Sequence, residues 1–412
     1  MKKLKSLFSP RKLIIWLFIV VLIIAMPELT RPSLSQTEAL VSMLCIEKKD
    51  GMYEIATTVL TPGQERKVNN QVYTGSGETL GEAVNSIAIS LGKEMAFAQC
   101  EIVAFGEKIS EESVIPSIDF MTRTKRVGRS AVLVNFTGDS GDFAQAVSKL
   151  SQDKALRLDQ IMHYDERYIL SQYSNIDSFY KGYYSPIKTG IMPQIRLETS
   201  DMSGAIEVAA SAEGGSSGGQ SEGQSNSTKE EKKYLINDGT MCVFYNGCKR
   251  LYLNPQQMKD INILQDNKQE GVLRVDGVSD EIYNDATIVF ALTKKDIKLT
   301  PSFEEDKPIY TMDVEIRVLV DEVIDKEQSD RFLRRNKEFL TPAALKKLKE
   351  TLHQKMMDTI TFCQENEIDL INVYKEFNAK HYKKFQQHYK KYQEKYLDGI
   401  EYIINIEVNS AY

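Results

Sequence analysis

The sequence is poor in the residues that catalysis and metal binding draw on most. It has four histidines, one tryptophan and five cysteines in 412 residues. Five cysteines are too few for a disulfide scaffold, and an odd number leaves at least one thiol unpaired within a monomer. Excess positive charge is missing too. Lys and Arg number 52 against 58 Asp and Glu, a net charge of −6, which argues against a general nucleic-acid binder. No H-E-x-x-H, D-x-D-x-D-G or C-x-x-C occurs. What remains is an ordinary apolar content of 42% and enough length for two or three domains.

The N-terminus carries the clearest signal. Lys2, Lys3, Lys5, Arg11 and Lys12 precede an uninterrupted apolar run, Leu13–Met26. A basic leader before such a run predicts export, with the rest of the chain outside the cytoplasm. As a helix the run spans about 21 Å, short of the roughly 30 Å apolar core of a bilayer. That length suits a signal peptide. Yet Pro27, Glu28 and Leu29 offer no small-x-small cleavage site, and Ser33-x-Ser35 is distant. A tilted anchor extending to Leu29 is the reading we favour. Cys45 is not a lipid-attachment cysteine, because Met43 and Leu44 precede it and "ALVSMLCIE" reads as a buried strand.

From Gln36 onward the pattern is mixed. "ALVSMLCIEKKDGMYEIATTVLTP" predicts two strands turning at Lys49-Asp50-Gly51. "GSGETLG" predicts a turn opening a helix, with Thr79 as N-cap, Glu82 as its capping-box partner, Leu80, Ala83, Val84, Ile87 and Leu91 on one face, and Gly92 at the end. Residues 203–233 are of low complexity, which predicts a flexible loop within a middle domain. "TMCVFYNGCKRLYLN" predicts a hairpin turning at Asn246-Gly247, with Tyr245 opposite Cys248. Tyr310, Met312, Val314, Ile316, Val318 and Val320 alternate on one strand face. Thr341 and Pro342 start a helix with Leu345, Leu348, Leu352, Met356, Ile360 and Cys363 as its apolar stripe. The fold class is α+β, multidomain, with antiparallel or mixed sheets packed with helices. The expected units are a leader over 1–35, an N-terminal α+β domain over 36–185, a middle domain over 186–284 and a C-terminal α+β domain over 285–412.

Three features invite a chemical reading. The Gly75/Gly77/Gly81 stretch fits neither G-x-G-x-x-G nor a P-loop, and Glu78 and Glu82 would repel phosphate while suiting the helix dipole. "RTKRVGR" gathers Arg123, Lys125, Arg126 and Arg129. Such a run reads either as a solvated loop or as a contact for anionic lipid or an acidic partner. "KHYKKFQQHYKKYQEKY" interleaves lysines with aromatic residues at helical spacing, and packing on its own sheet is preferred over a nucleic-acid or membrane face. His381 and His388 lack an acid or cysteine to complete a metal set. No cofactor is expected.

Several blocks taken in order resemble the Ger(x)C family, the C subunits of bacterial spore nutrient-germinant receptors. They are "GETLGEAVNSIAISLGKEMAFAQCEIVAFGEKI", "IDFMTRTKRVGRSAVLVNFTGDSGDFAQ", "DGTMCVFYNGCKRLYLN" and the final strand–strand–helix–helix–strand pattern. This chain would be a divergent member without a lipobox. The resemblance implies a non-catalytic, extracytoplasmic, membrane-associated α+β protein. It would act in spore germination with integral-membrane A-type and B-type subunits and bind no nucleic acid. A membrane-tethered envelope scaffold or adhesion protein is the alternative, followed by an exported enzyme.

Overall fold

A computed structural model describes residues 38–62, 68–109, 111–153, 158, 172–199, 206–208, 233–237, 239–245, 249–265, 271–324 and 340–411. The basic leader, the apolar run, most of 203–233, Cys248 and the Asn246-Gly247 turn lie outside the described residues.

Strands β1 (Glu38–Lys49) and β2 (Met52–Pro62) form the expected hairpin, with Lys49 opposite Met52. Asp50 and Gly51 take φ of 52° and 84°, the left-handed pair that a two-residue hairpin turn demands. Strand β3 (Val68–Gly77) adds antiparallel to β2. Here the structure corrects the sequence: Gly75 and Gly77 belong to a strand, not to a loop. Helix α1 (Leu80–Leu91) lies so close over them that a Cβ on Gly75 would sit 2.6 Å from the Ala83 carbonyl oxygen, and one on Gly77 would sit 2.6 Å from the Ala83 amide nitrogen. The glycines let a helix approach a strand. The capping box is present, with Glu82 N–H donating to Thr79 Oγ1 at 3.2 Å and Thr79 N–H donating to Glu82 Oε2 at 3.2 Å.

Strand β4 (Glu94–Ala96) and strand β5 (Ile102–Gly106) both run parallel to β1. Helix α2 (Glu111–Arg123) leads to β6 (Val132–Phe136), parallel to β5. Helix α3 (Ser140–Asp153) follows, then helix α4 (Ile176–Tyr183) and strand β7 (Thr189–Thr199), which is parallel to β6. Strands β8 (Ile206–Val208) and β9 (Lys233–Ile236) pair with each other, and β9 pairs with β7. Strand β8 lies inside the stretch read as a flexible loop, where Ile206 and Val208 supply β-branched residues at strand spacing.

Strands β10 (Met241–Tyr245) and β11 (Lys249–Leu253) close the far edge. Their register differs from expectation: Tyr245 faces Lys249, not Cys248, so the connection is one residue longer. The whole sheet has eleven strands in the order β11-β10-β7-β6-β5-β1-β2-β3, with β4 beside β1 and β8–β9 beside β7. One face packs on α1, α2 and α4, and the other on α3.

Helix α5 (Pro255–Ile263) and a four-stranded sheet complete the chain. The sheet order is β12 (Gly271–Val278), β13 (Ala286–Glu304), β14 (Lys307–Ile324) and β15 (Glu401–Ser410), with β15 parallel to β14. Helices α6 (Pro342–Glu365), α7 (Val373–Lys380) and α8 (Tyr382–Tyr392) cover it. The alternating residues Tyr310 to Val320 of β14 are buried, and so are Leu348, Leu352, Met356, Ile360 and Cys363 of α6.

Strand β10 belongs to the large sheet, but its side chains enter two cores. Its Cys242 and Phe244 enter the core under α1, α2 and α4, while Met241 and Val243 enter the C-terminal core. One short strand therefore contributes to two of the hydrophobic cores. Two layers of helices and sheets around separate cores make this a mixed α+β architecture.

Candidate functional site

The four cations singled out from the sequence sit where α2 ends and β6 has yet to begin. Thr124 N–H and Lys125 N–H both reach back to the Phe120 carbonyl, at 2.9 and 3.3 Å, and Val127 N–H reaches Met121 at 3.1 Å. Arg126 takes a left-handed φ of 58°, which turns the chain and lets Val127 be buried. The loop is thus pinned by its backbone, and its side chains diverge. Arg123 pairs with Asp119 on its own helix at 2.8 Å, both exposed, a contact worth about 0–1 kcal/mol. Lys125 stands 5.8 Å from the Phe120 ring and 6.0 Å from the Phe97 ring. Arg126 and Arg129 are exposed.

Helix α4, which pattern reading missed, docks on this loop. Asp177 N–H donates to the Arg129 carbonyl and Ile176 N–H to the Ala131 carbonyl, each at 3.1 Å. Its own start is a capping box between Asn175 and Ser178, the signal that could have found it. The helix brings tyrosines beside the cations. Tyr180 contacts the Tyr184 ring at 5.4 Å, and Tyr184 is 67% exposed. Burial pushes the Tyr180 hydroxyl pKa up, against a hydrogen bond with Thr122 that lowers it.

The basic aromatic helix resolves toward the bland reading. Phe385 is fully buried, and Tyr374 packs edge-on against Phe385, Tyr389 and Tyr396, with centroids 5.2–5.9 Å apart. His388 is buried, with Nε2 2.7 Å from the Tyr396 carbonyl oxygen, and His381 Nε2 lies 3.0 Å from that of Pro301. Burial lowers the His388 pKa, so the ring is neutral and donates this bond. Among the described residues no His, Cys, Asp and Glu cluster could hold a metal ion.

Sequence reasoning missed three polar groups that bond across the fold: the buried Asp369 and Lys295 and the half-buried Arg250. Asp369 accepts backbone N–H bonds from Ile371, Val373 and Tyr374 at 3.2, 3.0 and 2.8 Å, and the Tyr396 hydroxyl at 2.9 Å. Its carboxylate is saturated and shapes the turn before α7. Lys295 is buried and its ammonium caps the end of α5, bonding the carbonyls of Asn262 at 2.7 Å and Ile263 at 3.3 Å, together with that of Gln265. Arg250 donates to the carbonyls of Glu107 at 2.8 Å and Ile109 at 2.7 Å with its guanidinium over Phe244, fastening β11 to the loop after β5.

Two cavities stand out. One of about 680 Å³ is lined by Ser42, Thr58, Gln99, Glu101 and Ser148, among others. The other, about 410 Å³, lies between the two sheets and is lined by Gln172, Thr189, Gln265, Asp369 and Lys375, among others. The first offers a single carboxylate, and in the second the Asp369 oxygens are already occupied. Among the described residues that line them, neither cavity brings together two carboxylates with free oxygens.

The end of α2 thus gathers Arg126 and Arg129, both exposed, near the tyrosines of α4. The comparisons give the family. Residues 35–197 match the spore germination protein N-terminal domain, and residues 239–410 match the C-terminal domain of spore germination B3/GerAC-like proteins. The chain belongs to this family, as a GerAC-like C subunit of a germinant receptor acting in spore germination. Among solved structures, a crystal structure of the GerBC protein resembles it, at 13% identity and TM-score 0.46, over 90% of this chain and 97% of that chain. No curated protein matches. Among the described residues no helix is long and apolar enough to cross a membrane.

Proposed function

We propose that this protein is a non-catalytic, extracytoplasmic subunit of a membrane nutrient-germinant receptor, held at the membrane by its N-terminal segment. It works by assembly with integral-membrane A-type and B-type subunits. The observation that carries this reading is the match to both family domains, in order, across most of the chain behind a basic and apolar leader. Arg123, Lys125, Arg126 and Arg129 supply a contact for a partner or for lipid, with no cofactor involved.

The test is genetic and biochemical together. Deleting the gene should abolish or slow germination on at least one nutrient while non-nutrient triggers still act. The tagged protein should pellet with membranes and co-purify with both multispanning subunits. A null strain that answers every nutrient normally, with no second copy of the gene, would overturn the receptor reading.

A further inference from the structure

Strands β1, β5, β6 and β7 are mutually parallel, so they all begin at one edge of the large sheet. That shared polarity fixes what lies together there. Glu38, where β1 begins, pairs with Glu94 of β4, so the end of the leader emerges at this edge. Lys93 immediately precedes β4. The loop holding Lys125, Arg126 and Arg129 feeds β6 at its start. Lys188 precedes β7, and Thr189 is level with Ser130, because Gln194 faces Asn135 five residues further on in each strand. The second half of α8 adjoins the same edge. Tyr389 Oη contacts the Pro186 carbonyl at 3.4 Å, Glu394 stands 3.9 Å from Lys188, and Lys390 and Lys391 on that helix are exposed.

The charges of the two edges differ. The starting edge carries Lys93, Lys125, Arg126, Arg129, Lys188, Lys390 and Lys391 against Glu38, Glu94, Glu101 and Glu394. Arg123 is left out, because its pairing with Asp119 and its place in the last turn of α2 account for it. The opposite edge, where β1 and β5 end and α1 and α3 begin, carries Asp50, Glu54, Glu78, Glu82, Glu107 and Asp139 against Lys48, Lys49 and Lys108. Exposed Tyr184 stands at the positive edge, and tyrosine suits the boundary between headgroups and water.

The geometry points to this starting edge as the face that rests on anionic lipid headgroups. The inference builds on the reading that the N-terminal segment holds the chain at a membrane. From the apolar run, Pro27 to Thr37 reach at most about 40 Å even fully extended, and they join the body at this edge. The point of attachment lies on the cationic edge, and the charge difference between the two edges favours this edge facing an anionic surface. Attraction of roughly 1 kcal/mol per basic residue near an anionic surface, about five-fold in occupancy each, then holds one orientation.

The test uses the full chain in lipid nanodiscs made of phosphatidylcholine alone or mixed with phosphatidylglycerol. A water-soluble lysine-acylating reagent is applied and each site is read by mass spectrometry. Lys93, Lys125 and Lys188 should label several-fold more slowly in the anionic discs, with high salt restoring the rate. Lys48, Lys49 and Lys108 at the opposite edge should not change. The double variant Arg126→Glu, Arg129→Glu should lose the protection at Lys125 while keeping the wild-type circular dichroism. Equal labelling of both edges in anionic discs would overturn the inference and leave the receptor reading standing. Protection that needs added A-type and B-type subunits, and appears in neutral discs as well, would assign the edge to a protein partner and overturn it too. A chain that fails to stay with either disc would sink the tether and this inference together.

Discussion

The Tyr396 hydroxyl donates to Asp369 Oδ2 at 2.9 Å in the interior of the C-terminal unit, where both side chains are buried. Burial raises both pKa values; the hydrogen bonds to Asp369, from the Tyr374 amide first, act against its rise. The pair closes a turn whose three amides aim at one carboxylate. Asp369→Ala strands four donors and should cost about 3–5 kcal/mol. Tyr396→Phe removes one bond to a charged acceptor and should cost about 1.5–3 kcal/mol. Urea denaturation of the three proteins gives the order. An alanine variant as stable as wild type would show that the turn is held by something else.

His388 gives the stability a pH dependence. Its folded pKa is lowered by burial first, with the nearby Lys391 charge adding to this and the Tyr396 carbonyl opposing it. The unfolded chain therefore takes up the proton more readily than the folded one. The stabilisation is fully present above an unfolded pKa of about 6.5 and is lost as pH falls below it toward the folded value. Asp369 works the other way. Its raised pKa makes ionised burial costly at neutral pH, and that cost lifts on acidification. The two are separated by a variant: the stability difference between wild type and His388→Gln should shrink between pH 7.5 and pH 5.5. A difference that stays constant over that range would refute the assignment.

Gly75 and Gly92 make a matched pair of tests. At Gly92 φ is 63° and nothing lies within 4 Å of an added Cβ, so Gly92→Ala costs only the left-handed strain, about 1 kcal/mol. At Gly75 the added Cβ meets the Ala83 carbonyl oxygen at 2.6 Å, and backbone cannot step aside as a side-chain tip can. Gly75→Ala should cost more, up to about 3 kcal/mol, as overpacking does. Thermal melts should rank them in that order, and the reverse order would mean that α1 yields easily.

What pattern reading recovered and what it missed divide along local and non-local lines. The Thr79–Glu82 box, the Asp50-Gly51 turn, the Thr341-Pro342 start of α6 and the alternation of β14 are each specified within a few residues, and each is present. Strand β3 was lost because Gly75 and Gly77 lack the β-branched bulk that marks a strand, yet they are there to admit a helix. The parallel order β1-β5-β6-β7 was illegible, since no local signal says which strand pairs with which. The cation cluster was visible as composition. Its placement beside the start of β1, and beside the tyrosines of α4, needed the fold.

Arg250 ties the hairpin after β9 to the rest of the large sheet. Its two carbonyl partners lie more than a hundred residues earlier, and its guanidinium covers Phe244 at 5.2 Å. Arg250→Ala should destabilise by about 2 kcal/mol, from two hydrogen bonds and the lost stacking. Arg250→Lys should recover little of it, because an ammonium cannot bridge both carbonyls while lying flat on the ring. Full recovery by lysine would reduce the contact to charge alone.

The shared strand predicts that the two cores unfold together. Met241 and Val243 pack into the C-terminal core while Cys242 and Phe244 of the same strand pack under α1, α2 and α4, so loosening either core frees β10 for both. Leu352 on α6 is 1% exposed, and Leu352→Ala should cost about 2–5 kcal/mol. If the cores are coupled, that loss appears in both. Hydrogen exchange should speed up at the amides of α6 and, by a similar factor, at those of β5 and β6 in the middle of the large sheet. A variant in which α6 exchanges fast while β5 and β6 keep their wild-type protection would mean that the halves move independently. A coupled body would carry a pull on the C-terminal unit directly to the cationic edge, whereas independent halves would need a partner subunit to link them.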